Sequence, residues 1–146
     1  AEKLCSALAK IIPAALANEA VTVISPALGG ILVGHEVARA LDKKCIFAEK
    51  QDGKLVLRRF SILPGEPVIV AEDVVTRGGR VQETVDIVKQ QGGRVLAIAT
   101  LVDRSAGTAD FGGIPHFSLL QMSPVTWEPA QCPHCARGSK PMHPGS

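Results

Sequence analysis

Apolar residues recur along this chain in two rhythms, and the switches between them mark its elements. Near-3.6 spacing of Leu4, Leu8, Ile11, Ile12 and Leu16 predicts a helix over Glu2 to Ala17, interrupted at Pro13, which lacks an amide donor. Short runs rich in β-branched residues predict buried strands at Val21 to Ser25, Cys45 to Ala48, Val68 to Ala71 and Val95 to Val102. Val33, Val37 and Leu41 give one apolar face to a helix over Ile31 to Leu41. Val81, Val85 and Val88 do the same for Arg80 to Gln91, which Gly92-Gly93 stops. Leu55 to Arg58 reads as a short strand, Ile114 to Met122 as the last one, and Lys50 to Lys54 as a polar turn around Gly53. From Ser123 onward the chain is Pro-rich and aperiodic, which predicts a tail, 123–146, packed on the body of a single domain.

Strands that alternate with helices predict an α/β fold, a parallel sheet flanked by helices on both faces in a Rossmann-like arrangement. Right-handed crossovers would bring the strand ends Ser25, Glu49, Asp73 and Asp103 to one edge. That is the edge where open α/β sheets bind ligands.

Composition narrows the classes. A chain of 146 residues with 46% hydrophobic and 21% charged residues suits one globular domain. A net charge of +2 is too mild to point to nucleic acid, and 3% aromatics with no Tyr leaves few platforms for stacking bases. No apolar run is long enough for a bilayer, and no secretory signal is evident, so no membrane partner is expected. Cys5 and Cys45 read as buried apolar residues rather than disulfide partners, which favours a reducing, cytoplasmic location. Cys132-Pro-His-Cys135, with His134 or His143, contains a possible four-ligand zinc set. A surface tail explains it more simply, because there is no second Cys pair and no strand leading into a helix. His35 and His116 lack a partner set and read as packed or solvated.

The chemistry concentrates in Val68-Ile-Val-Ala-Glu-Asp-Val-Val-Thr-Arg-Gly-Gly-Arg80. Here an apolar run ends in Glu72 and Asp73, and a Thr-Arg-Gly-Gly turn leads into a helix. Amides at a helix start can hold a phosphate. The acids would repel one and suit sugar hydroxyls or a metal instead. Both in one turn point to a phosphorylated sugar. Pro26-Ala27-Leu28-Gly29-Gly30 makes a second strand-to-helix turn able to approach an anion, although Gly-Gly also serves as a plain turn. Lys50 follows the strand end Glu49, whereas Arg58 and Arg59 read as a solvated loop. Asp103-Arg104 is either a structural ion pair or a place where Arg grips a planar carboxylate.

The Val68 to Arg80 stretch resembles the phosphoribosyl-diphosphate (PRPP) signature of type I phosphoribosyltransferases. Phe47-Ala-Glu-Lys50, Val102-Asp-Arg104 and the ending Cys132-Pro-His-Cys135 through Pro144-Gly-Ser146 are similar to its orotate branch. The resemblance covers essentially the whole chain. It implies a pentosyltransferase of pyrimidine biosynthesis that joins orotate to PRPP, giving orotidine 5′-phosphate and diphosphate, with Mg²⁺ held mainly through PRPP. By the same resemblance, Glu72 and Asp73 would bind the ribose hydroxyls. Val74, Val75, Thr76, Arg77, Gly78, Gly79 and Arg80 would form the 5′-phosphate loop. Leu28, Gly29 and Gly30 would approach the diphosphate. Lys50 would contact the diphosphate and act in catalysis with the two acids. Lys54 would sit on a mobile loop that reaches a partner's site in a homodimer. Thr76 and Arg104 would bind orotate. The sequence departs from the family at Arg77 and Arg80, where relatives carry hydroxyl residues, and at Glu49, where some carry Arg. The family also has an N-terminal hood upstream of the equivalent of Ala1, so the resemblance implies a truncated chain. Rival readings are a transferase for another base, a PRPP-binding regulator without turnover, and a receiver domain with strand-end acids.

Overall fold

In the computed structural model, which describes residues 1–140, six strands form one sheet in the order β3-β2-β1-β4-β5-β6. The strands are β1 (Thr22–Pro26), β2 (Lys44–Gln51), β3 (Lys54–Val56), β4 (Pro67–Val75), β5 (Arg94–Asp103) and β6 (His116–Gln121). Helices α1 (Glu2–Ile11), α2 (Ala14–Glu19), α3 (Gly29–Leu41), α4 (Gly79–Gln90) and a short α5 (Pro133–Ala136) connect or follow them. Pro13 divides the first predicted helix in two and stands as the N-cap of α2. The class expected from the alternation of elements is the class observed.

Side-chain alternation explains why both faces are covered. In β4, Ile69 and Ala71 pack into one core with Val23, Val33, Val37, Cys5 and Leu8, beneath α1 and α3. Their neighbours Val68 and Val70 join Ile24, Ile98, Val81, Val85 and Val88 beneath α4. A strand apolar on both sides must be central, and β4 lies between β1 and β5. Glu66 locks the opposite edge: its buried carboxylate accepts from the Thr22 hydroxyl and from the Leu63 amide at 2.9 Å.

Two expectations require correction. The predicted polar turn Lys50 to Lys54 is mostly strand. Lys50 pairs with Leu55 and Gln51 with Lys54 in an antiparallel β2–β3 hairpin, so the sheet is not wholly parallel. Only Asp52 (φ 50°) and Gly53 (φ 83°) turn, the doubly positive pattern that suits the twist of a two-residue hairpin. Likewise β4 does not stop at Ala71 but continues through the acids to Val75, with Glu72 opposite Thr100 and Val75 opposite Asp103. The polarity of Glu72 and Asp73 resembles a strand end, but the β5 ladder carries the backbone on.

Candidate active site

Three clefts lie along the carboxyl edge of the parallel strands and share walls. The central one, about 390 Å³, is lined by residues that include Gly29, Glu72, Asp73, Thr76, Gly79 and Arg80. On one side a cleft of about 540 Å³ is bounded by Leu28, Gly29, Glu49, Lys50 and Arg80. On the other, about 510 Å³ is enclosed between Thr76, Arg77 and Arg104 and the tail residues Trp127, Glu128 and Gln131. Gly29 and Arg80 are common to the first two, and Thr76 joins the first to the third. The result is one trough with lysine at one end, acids and a helix start in the middle, and two arginines at the other.

The middle is built by two helix starts. Both α3, entered through Leu28, and α4, entered through Gly78, lack a side-chain cap. An uncapped helix start can bind an anion, aided by the helix dipole, although at α3 the Ile31 amide already donates to the Leu28 carbonyl at 3.2 Å. Gly78 has φ 78°, and a Cβ there would lie 3.0 Å from the Phe111 ring, so the loop demands glycine on both grounds. The glycines of α3 serve differently. A Cβ on Gly29 would stand 2.6 Å from the Asp73 carboxylate, and one on Gly30 would stand 2.7 Å from that of Glu72. Neither has a positive φ; the space they leave is filled by the acids. Arg80 ties the two turns together, donating from Nη1 to the Ala27 carbonyl at 3.3 Å beside the cis Ala27–Leu28 peptide.

The two carboxylates are held unequally. Glu72 is buried, at 4% exposure, and accepts from the Asp73 amide at 3.0 Å. Burial, followed by its bond to the Asp73 side chain, pushes its pKa up to about 8, although Arg80 pulls the other way. Asp73 is half-buried and accepts from the Val74 amide at 2.7 Å, which fixes its orientation on the cleft wall.

The remaining predicted residues divide. Lys50, Leu28, Val74, Val75, Gly79 and Arg104 all line the trough. Arg77 lines the Arg104 cleft rather than the central one. Lys54 lies next to the exposed hairpin tip and lines none of the three. Glu49 is not bare: it pairs with Arg59 at 3.0 Å and Arg58 at 4.0 Å, so those arginines are partnered rather than merely solvated. Asp103 accepts from the Ser105 amide at 2.8 Å, and no ion pair joins it to Arg104. Sequence reasoning missed Trp127 and Gln131, because an aperiodic tail gives no sign of where it lies. It also missed the bond between His116 and Thr100 (2.9 Å), although a packed role for His116 was among those expected. Among the described residues no three His, Cys, Asp or Glu side chains cluster as a metal cage, and His143 and Pro144 to Ser146 lie outside them.

Comparison with known proteins shows the family and the fold. The family model described as "Phosphoribosyl transferase domain" matches residues 1–111. The orotate phosphoribosyltransferase of Acidithiobacillus ferrooxidans is 45% identical over 147 aligned positions, which take in 100% of this chain and 75% of that protein. The chain belongs to the orotate phosphoribosyltransferase family. The orotate phosphoribosyltransferase of Heliobacterium modesticaldum is 52% identical across 85% of this chain and 65% of its own length. The crystal structure of orotate phosphoribosyltransferase from Aeropyrum pernix superposes with a TM-score of 0.66 at 20% identity, covering 82% of this chain and 70% of that one. At that identity the superposition speaks for the fold, a type I phosphoribosyltransferase sheet. The chain spans about three quarters of the length of the first of these relatives.

Proposed function

We infer that this chain is a glycosyltransferase that moves the 5-phosphoribosyl group of PRPP to orotate, giving orotidine 5′-phosphate and diphosphate in pyrimidine biosynthesis. The observation that carries the reading is the trough itself: two helix starts without side-chain caps, two acids between them, and two arginines at the far end.

In this reading the 5′-phosphate binds the uncapped start of α4, from Thr76 to Arg80. Asp73 and Glu72 hydrogen-bond the ribose hydroxyls, and Asp73 favours the positive charge that develops on the sugar as diphosphate departs, whereas Glu72, held mostly protonated at neutral pH, positions the ribose without adding charge. Diphosphate lies against Leu28, Gly29 and Gly30, with Lys50 neutralising the leaving oxygens. Arg80 touches both clefts and orients the two ends of PRPP at once. Arg104, with Arg77 beside it, binds the orotate carboxylate, and Thr76 borders the ring. No side-chain nucleophile is required, since the ring nitrogen of orotate takes the place of the diphosphate oxygen on C1.

Mg²⁺ fits this donor set. It prefers one or two carboxylates with water and phosphate oxygens, and Asp73 stands on the cleft wall while PRPP would supply the rest. When bound it neutralises the leaving diphosphate. A homodimer with shared sites gives Lys54 a role, because it lines none of the three clefts described above. No helix among the described residues is long and apolar enough to cross a membrane, and a cytoplasmic location suits the substrates.

The test is loss of orotate absorbance on mixing the protein with PRPP and Mg²⁺. Loss that requires all three components supports the reading. Turnover of another base alone, or PRPP binding without turnover, overturns it. Arg104→Ala should raise the KM for orotate far more than that for PRPP.

A further inference from the structure

We propose that Trp127, on the C-terminal tail, is a contact residue for the acceptor base, stacking its indole on the planar ring whose carboxylate Arg104 holds. The inference rests on the orotate reading above and adds a wall to that site from a segment no PRPP motif touches.

The backbone delivers the tail to this place. Arg104 donates its amide to the Val75 carbonyl at 2.8 Å, which ties the end of β5 to the start of the phosphate loop. Met122 donates to the Asp103 carbonyl at 2.7 Å, so the tail leaves β6 beside Arg104. From there Pro124, Thr126, Trp127, Glu128 and Gln131 close the far side of the cleft that holds Thr76, Arg77 and Arg104. A 3-10 turn over Pro129–Gln131 follows, in which Gln131 donates to the Glu128 carbonyl at 2.9 Å.

The side chains then suit one class of ligand. Two guanidinium groups ask for an anion, and a flat indole asks for a flat ring. Trp127 is held edge-on by His134, with centroids 5.8 Å apart and planes at 72°, yet 46% of its surface remains open. The other aromatics are engaged elsewhere. Phe47 packs on Phe60, Phe111 is buried against His116, and Phe117 lies against the core beneath α1 and α3. Neither of the other two clefts has an aromatic in its lining. A planar heterocycle bearing a carboxylate satisfies both demands at once, with charge recognised in the plane and the ring recognised from its face.

The chain contains one tryptophan, so its fluorescence reports this site alone. In this chain, orotate should quench that emission beyond the inner-filter loss measured with free tryptophan. Dihydroorotate, which keeps the carboxylate but loses planarity, should not. Trp127→Ala should raise the orotate KM about tenfold and leave the PRPP KM within about twofold, as expected for one lost base stack. Trp127→Phe should recover most of the loss, and melting temperatures should be unchanged, because the ring is half exposed. An orotate KM that Trp127→Ala leaves within about twofold, while Arg104→Ala still raises it, would overturn the stacking role and leave the orotate reading intact. Equal rises in both KM values would also overturn it, since the tail would then act as a general cover. A wild-type protein that turns over PRPP only with another base would overturn the orotate reading and this inference with it.

Discussion

The turn that enters α3 and the turn that enters α4 solve one problem in two ways. Each follows a central parallel strand, each carries adjacent glycines, and each leaves its helix start uncapped. At α4 the glycine requirement is conformational: Gly78 is at φ 78° with Phe111 behind it. At α3 it is volumetric, since Gly29 and Gly30 lie where the carboxylates of Asp73 and Glu72 need to be. A Gly-Gly pair can therefore mean a backbone shape or a reserved space, and only the neighbours say which. Arg80 spans the two turns through the Ala27 carbonyl, so damage to one should reach the other.

Substitutions should separate the two uses. Gly30→Ala should be the most harmful. Its Cβ would meet the Glu72 carboxylate at 2.7 Å, Pro26 at 3.1 Å and Ser25 at 3.3 Å, leaving no free direction to yield. We expect a loss of about 3 kcal/mol, seen as a roughly 100-fold fall in kcat/KM together with a lowered melting temperature. An active, fully stable Gly30→Ala protein would refute the volumetric account.

Next in size is the effect of Glu72 on stability. Its folded pKa, pushed up to about 8 by burial, lies above that of an unfolded glutamate. Below about pH 4.5 both states hold the proton and the group costs nothing. As pH rises from there to 8, the unfolded chain ionises first, so stability falls through that window and levels off above it. Glu72→Gln should abolish the fall and exceed the wild type by on the order of 2 kcal/mol at pH 9, with the gain vanishing near pH 4. Denaturant titrations at the two pH values check it, and equal differences at both would count against the buried carboxyl.

Gly78→Ala should cost about 1–2 kcal/mol through its left-handed backbone, with the loss felt mainly in PRPP affinity. Gly79→Ala is the control and the smallest effect. No atom lies within 4 Å of its would-be Cβ and its φ is ordinary, so stability should change by no more than about 0.5 kcal/mol. If Gly79→Ala proved as harmful as Gly78→Ala, a general need for glycine in the loop would replace the positional one.

Much of this arrangement was legible in the chain. The 3.6 and 2-residue rhythms located the main elements, because burial on one stripe or on two faces leaves a periodic trace. The acids, Thr76 and the glycines of the phosphate loop stood out because no core needs that combination. Less legible was where β4 ends. Glu72 and Asp73 look like a strand terminus, and only pairing with Thr100 and Val102 across β5 shows the ladder passing through them. Lys50 to Lys54 looked like an open loop, but Asp52-Gly53 is a tight hairpin that draws the flanking lysines into strands. Trp127 was silent for another reason: its segment has no rhythm, and its place depends on where β6 leaves the sheet.

The sequence by itself determined the α/β class, the two glycine-bearing strand-to-helix turns, and the placing of two acids just before the second of them. These are local matters, written in residue type and spacing over a dozen positions. The tertiary structure alone decided the order β3-β2-β1-β4-β5-β6, the fit of two carboxylates into the space of two glycines, and the placing of Arg104 and Trp127 on one cleft. Such arrangements bring together residues 20 to 45 positions apart. Their energies depend on shape, burial and charge at a distance, which no short stretch of chain encodes.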